Sequence, residues 1–131
     1  MGPASVNDAA APIRISRPHW QALLDELADA RRQRHLVTYR SLLERLQLPA
    51  PAMRTLAAAL EHLAMLDAQA DRPLRSVLVI SQSASRLPRT GFFECAVRLG
   101  RFSGPVDGAV AASWHAGEVA RVFEFDYPEA S

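Results

Sequence analysis

Three leucine-rich stretches with the spacing of a helical face, followed by a single block of continuous aliphatic residues, constrain this chain more than any other feature. Trp20, Leu23, Leu24 and Leu27 recur at intervals that put apolar side chains on one side of a 3.6-residue helix. Leu42, Leu43 and Leu46 repeat the pattern, and so do Met53, Leu56, Leu60 and Leu63. Leu74 to Ile80 then breaks it: the run is short, β-branched and bounded by turn residues, which reads as a buried strand.

The boundaries are marked locally. Ser16 stands where a cap is needed, with Pro18 in the first turn. The helix it starts runs to about Arg34, with Asp25, Glu26, Asp29 and Arg32 on the outer side. Arg31, Arg32 and Arg34 put positive charge at its negative dipole end, as a solvated terminus would. His35 to Val37 is a short extended link that can supply a partner strand, and Thr38 caps the second helix. Pro49 and Pro51 stop that helix, and a third begins near Ala52 and loses its signal between Asp67 and Asp71. Two short helices joined by a tight turn are a helix-turn-helix candidate. Helix, helix, helix, strand is the order of a winged helix.

Phe92 to Leu99 carries two periods at once. Phe93, Cys95, Val97 and Leu99 alternate with Phe92, Glu94, Ala96 and Arg98 as a second wing strand would, yet Phe92, Phe93, Ala96 and Val97 share a helical face. Periodicity alone does not separate the two. Gly100, Gly104, Pro105 and Gly108 mark a loop, and a last helix from about Ala111 to Phe125 is expected to bury Trp114, Val119, Val122 and Phe123. Glu124, Asp126 and Glu129 form an acidic, solvated end.

At 131 residues the chain has room for one domain with its own core. Residues 1–15 read as a flexible tail and 16–131 as a single domain, mainly α with a small β element and a C-terminal helix. All 15 basic residues are Arg against 14 acidic ones, a net charge of +1. Arg in place of Lys, alongside abundant Ala and Leu, fits a GC-rich bacterial coding sequence. Its planar fork also suits phosphate. One cysteine makes no internal disulfide, and neither a membrane span nor a signal peptide is legible. The expected location is the cytoplasm.

No catalytic machinery is legible. Cys95 sits among apolar neighbours, where a nucleophile would need a base and an electropositive setting. Ser81, Ser83 and Ser85 lack a nucleophile elbow, and His19, His35, His62 and His115 form no i, i+4 pair. Without a glycine-rich phosphate loop, the expectation is a non-enzymatic protein with no cofactor and no metal.

The segments Val37 to Leu43, Arg54 to Leu66, Arg72-Pro-Leu-Arg-Ser-Val-Leu-Val-Ile80 and Pro88-Arg-Thr-Gly-Phe-Phe93 together resemble small bacterial winged-helix-like proteins of unestablished function. That resemblance covers about residues 36–125 and implies a helix after Gly91. More distantly, the Thr38-Tyr39 start is similar to the DNA-binding domain of alkylguanine-DNA alkyltransferases. The Pro-Cys-His-Arg active-site motif of those enzymes has no counterpart here, where Ser76 to Val79 stands in its place. The resemblance therefore extends to architecture and not to alkyl transfer.

A winged helix binding double-stranded DNA would offer its third helix to the major groove and its wing to phosphate. On that expectation Arg86 and Arg89 of the wing, with Arg40 and Arg54 at two helix N-termini, contact the backbone, and Thr55 and His62 face bases. The third helix is otherwise poor in donors, offering Ala58, Ala59, Glu61 and Ala68. An Ala-rich face lets another helix approach closely, so the alternative is a protein-interaction, dimerisation or adaptor module, with Trp20 or Trp114 as anchors.

Overall fold

Ser16 and Thr38 cap the first two helices, as their positions predict. The Ser16 hydroxyl accepts from the His19 amide at 3.2 Å and that of Thr38 from the Ser41 amide at 3.0 Å. In the computed structural model, which describes residues 15–128, the elements run α1 (Arg17–Gln33), β1 (Val37–Thr38), α2 (Tyr39–Leu46), α3 (Ala52–Gln69), a 3-10 turn (Arg75–Leu78), β2 (Val79–Ile80), α4 (Thr90–Arg98) and α5 (Gly108–Glu124). The protein is mainly helical. One hydrophobic core draws on every helix, from Leu23 and Leu27 of α1 to Val122 of α5. Of the expected tail, Met1 to Arg14 lie outside the described residues, while Ile15 packs against the core.

The Leu36-Val37 link supplies the expected strand: β1 pairs with β2 in parallel, Val37 opposite Val79 and Thr38 opposite Ile80. The expectation of a strand throughout Leu74 to Ile80 is corrected. Only Val79–Ile80 is strand, and Arg75–Leu78 is a 3-10 turn. The cause is burial. All seven residues from Leu74 to Ile80 are buried, and buried backbone groups require partners that a two-residue ladder cannot supply. Side chains of the surrounding helices supply them instead. Asp67 of α3 accepts the Arg75 amide at 2.9 Å, and Glu118 of α5 accepts the Leu74 amide at 2.9 Å. His115 of α5 places Nε2 2.8 Å from the Val77 carbonyl, and in the other direction the segment's own Ser76 hydroxyl donates to the Leu60 carbonyl of α3 at 2.6 Å.

The ambiguous Phe92 to Leu99 segment is helix α4. A strand would bury Val97 and expose Phe92 and Ala96; Val97 is 44% exposed, Phe92 6% and Ala96 0%. Gly100 ends it in the left-handed region, at φ 75°, where its amide and that of Arg101 close back onto Val97 and Ala96 at 3.0 and 2.9 Å. The last helix starts three residues earlier than expected, at Gly108, and its buried stripe is Ala111, His115, Glu118 and Val122. Trp114, Val119 and Phe123 are half-buried on its flanks, where Trp114 completes a cluster with Phe92, Phe93 and Phe102. On α3, Ala59 is buried, not exposed as expected, and Met53 is only half-buried. Of the acidic end, Glu124 and Asp126 are exposed, and Glu129 lies outside the described residues.

The arginines that end α1 are not uniformly solvated. Arg32 and Arg34 pair with Asp29 and Glu124 at 2.9 and 2.8 Å. Arg31 instead lies 4.5 Å from the centre of the Tyr127 ring. Arg75 approaches the same ring at 4.7 Å, and the Tyr127 hydroxyl donates to the Pro73 carbonyl at 2.6 Å. The segment after α5 is thus bound back onto the 3-10 turn.

Candidate nucleic-acid interface

The loop between β2 and α4 closes on itself. The Ser81 amide donates to the Leu87 carbonyl at 2.8 Å, and inside this closure the Arg86 amide donates to the Ser83 carbonyl at 3.1 Å. Arg86 adopts φ 54°, a left-handed conformation rare for a residue with a side chain. Pro88 is buried at the end of the loop and Arg89 is exposed beside it. The loop is thus a compact turn carrying one exposed arginine at its bend and another where it enters α4.

Both ends of this loop are tied to the first turn of α2. Arg40 reaches Gln82 with Nη1 3.5 Å from Oε1, and the Tyr39 hydroxyl accepts the Arg89 amide at 3.1 Å. The Arg89 guanidinium lies 6.0 Å from the centre of the Tyr39 ring, at the outer limit of a cation–π contact. Arg40, Arg86 and Arg89 are therefore gathered around one loop. Glu61 lines a cavity with Arg89, but among the described residues only Arg40 of the three has a carboxylate within ion-pair distance, Glu44 at 3.7 Å on the exposed side of α2. Such an exposed pair holds its cation weakly.

Arg54 is exposed in the first turn of α3. It begins the ridge that continues through Ala57 and Glu61, three and seven residues on. Ala57 and Glu61 line a cavity of about 110 Å³ together with Tyr39, Leu60, Ser76, Arg89, Gly91 and Phe92. This face of α3 therefore borders the tyrosine that holds the loop. Glu61 is 3.6 Å from Arg98 of α4, and none of the four candidate arginines pairs with it or with Glu94 among the described residues.

Thr55 and His62 share a different stripe of α3. Thr55 is half-buried, and His62 meets Trp20 of α1 edge to face, ring centres 5.7 Å apart. Ile15, Arg17, Trp20 and His62 line a shallow recess of about 410 Å³ on that side. Of the two expected base-facing residues His62 thus meets α1 and Thr55 is half-buried on the same stripe, while Tyr39 and Arg89 border α3 along the Ala57 and Glu61 ridge.

The chemistry available near the cavity is that of binding. Burial pushes the Tyr39 phenol up, against the lowering effect of the Arg89 amide and guanidinium, so it stays protonated and can donate. The Ser76 hydroxyl is committed to Leu60. Burial and the Glu61 charge push the Cys95 thiol up, outweighing Arg98, which keeps it from the reactive thiolate form. Sequence reasoning used Tyr39 only as part of a helix start. Its signal was an aromatic with a polar tip directly after a cap, a residue type that usually finds a partner for its hydroxyl when buried.

The class that fold and site define is a mainly helical domain with a short parallel strand pair and an arginine-bearing loop docked on its second helix. No family model, no curated protein and no solved structure matches the chain.

Proposed function

We propose that the chain is a winged-helix-like nucleic-acid-binding module that holds the phosphate backbone through the 81–89 loop and the first turn of α2. The observation that carries this reading is the tethering of the loop to α2 through Arg40–Gln82 and Tyr39–Arg89. It holds the loop that carries Arg86 and Arg89 beside Arg40. Among the described residues the carboxylates of this surface are Glu44, close to Arg40, and Glu61, which lines the cavity with Arg89 and pairs with Arg98. Planar guanidinium donors suit phosphate, since their fork meets its oxygens two at a time. Arg54, on the α3 ridge beside the cavity, extends the same surface.

Phosphate contacts position a duplex without reading it. The outer face of α3, with Arg54, Ala58, Glu61 and Met65 in its exposed and half-buried positions, has few groups that match base edges. The reading is therefore affinity of low sequence selectivity. Fluorescence anisotropy with a mixed-sequence duplex at low and moderate salt tests it. Absence of salt-dependent binding at micromolar protein would sink it.

A protein-interaction reading has one observation of its own, on another surface. Val110 is 52% exposed and borders an open groove of about 500 Å³ with Phe102 and Trp114. Retention of a partner or self-association, lost on Val110→Asp with the fold intact, would favour that reading over the first.

A further inference from the structure

The recess between α1 and α3 is unused by the phosphate surface just described, and its chemistry differs from it. Trp20 is half-buried, its ring 5.7 Å from that of His62 and inclined to it by 64°, and it lines the recess with Ile15 and Arg17. Arg17 is exposed, and among the described residues no carboxylate lies within ion-pair distance of it. An indole, an imidazole with ring nitrogens able to hydrogen-bond and a guanidinium with no carboxylate partner among the described residues thus line one opening. We infer that this recess is a stacking subsite for one unpaired base of a single-stranded nucleic acid, with Trp20 as the platform, His62 at the base edge and Arg17 on the adjoining phosphate.

The inference rests on the nucleic-acid reading and names the form of nucleic acid that reading leaves open. Single strands are bound by aromatic side chains that stack bases beside cations that track the backbone, and a base still paired in a duplex offers no free face to Trp20. The recess is shallow and open, and the one formal charge among its lining residues, Arg17, is positive. A longer apolar segment would find only Ile15 and Trp20 as apolar walls. The position also fits. His62 stands eight residues after Arg54 on α3, about 12 Å along the helix axis, so a strand leaving the arginine surface along α3 reaches the recess within a few nucleotides.

Anisotropy with a labelled oligothymidylate of about ten nucleotides, run beside the mixed duplex on the full chain, separates the two ideas. Trp20→Ala is expected to weaken the single strand about 5- to 150-fold, from the loss of one stacked base, and to leave duplex affinity unchanged. Trp20→Phe retains a ring and should lose less, and His62→Ala and Arg17→Ala, the latter at an exposed position, should each weaken the single strand selectively. Trp20 also packs against the core, so circular dichroism accompanies each variant; if Trp20→Ala unfolds, the other three variants decide. Single-strand affinity unchanged in folded variants overturns the inference, as does a parallel loss for duplex and single strand. Duplex binding through Arg40, Arg86 and Arg89 without any single-strand binding removes the inference and leaves the broader reading standing. Binding of neither removes both.

Discussion

Removing the Asp67 carboxylate should cost this domain a large share of its stability. Asp67 is fully buried, and so is Arg75, at 0% and 1% exposure. Its Oδ1 accepts from Arg75 Nη2 at 2.8 Å and from Arg72 Nε at 2.7 Å, and its Oδ2 accepts the Arg75 amide at 2.9 Å. In Asp67→Ala the Arg75 guanidinium stays in the core without its counter-charge, and one amide of the 3-10 turn loses its acceptor. Breaking a buried pair by removing one partner costs about 3–5 kcal/mol, against a total of about 5–15 kcal/mol for a typical domain. With a urea slope of about 1–3 kcal/mol per molar, the unfolding midpoint falls by roughly 2 M. Urea unfolding followed by circular dichroism measures this. Asp67→Leu combined with Arg75→Met should recover part of the loss, because removing both charges also removes their desolvation cost, while Arg72 and the Arg75 amide still lack their acceptor. A cooperative Asp67→Ala protein within about 1 kcal/mol of the parent would refute the reasoning, as would a double variant no better than the single.

Three further outcomes follow from the same geometry. Burial lowers the His115 pKa below its usual 6.5, outweighing the opposing bond to Val77. The unfolded chain therefore takes up this proton first as pH falls. Its contribution is full above pH 6.5 and lost on descent through the folded value, so urea midpoints of parent and His115→Gln should converge or cross below pH 6.5. Replacing Arg40, Arg86 and Arg89 together by Ala removes three phosphate contacts, which should lower the salt slope of duplex binding by about 2.7 log units per log unit of salt; an unchanged slope contradicts the proposed surface. Tyr127→Phe keeps the ring beside Arg31 and Arg75 and removes only the bond to Pro73, at a cost of about 1 kcal/mol. Tyr127→Ala, losing ring and cation contacts, should cost about 3–5 kcal/mol.

How much of the interface was legible depends on the kind of evidence each residue gives. Arg86 and Arg89 were found because a polar, proline-containing run between two apolar segments has to be a loop, and Arg40 because Thr38 is a cap. Their convergence was not legible, because it depends on Gln82 and the Tyr39 hydroxyl meeting across the fold. His62 was assigned to the outer face of α3, and it does lie near that face; the sequence has no means of saying that Trp20, forty-two positions earlier, stands beside it. Asp67 carried a weak signal of its own. A carboxylate in the last turn of a helix opposes the helix dipole, and such a local conflict marks a partner elsewhere in the chain.

What the sequence determined by itself is whatever depends on neighbours along the chain: the caps at Ser16 and Thr38, the stop at Pro49 and Pro51, and the apolar faces of the helices. These follow from backbone groups and periods that act within a few residues. Tertiary structure alone decided the form of Leu74 to Ile80, whereas for Phe92 to Leu99 the two periods tie and only the family resemblance pointed to the helix that forms. An apolar run buried on every side has no period to read, so its conformation is set by which partners its backbone can reach. Here those partners are Asp67, His115 and Glu118, carried by helices on either side of it in the sequence. The sequence names these side chains, and only the fold brings them to the turn they hold.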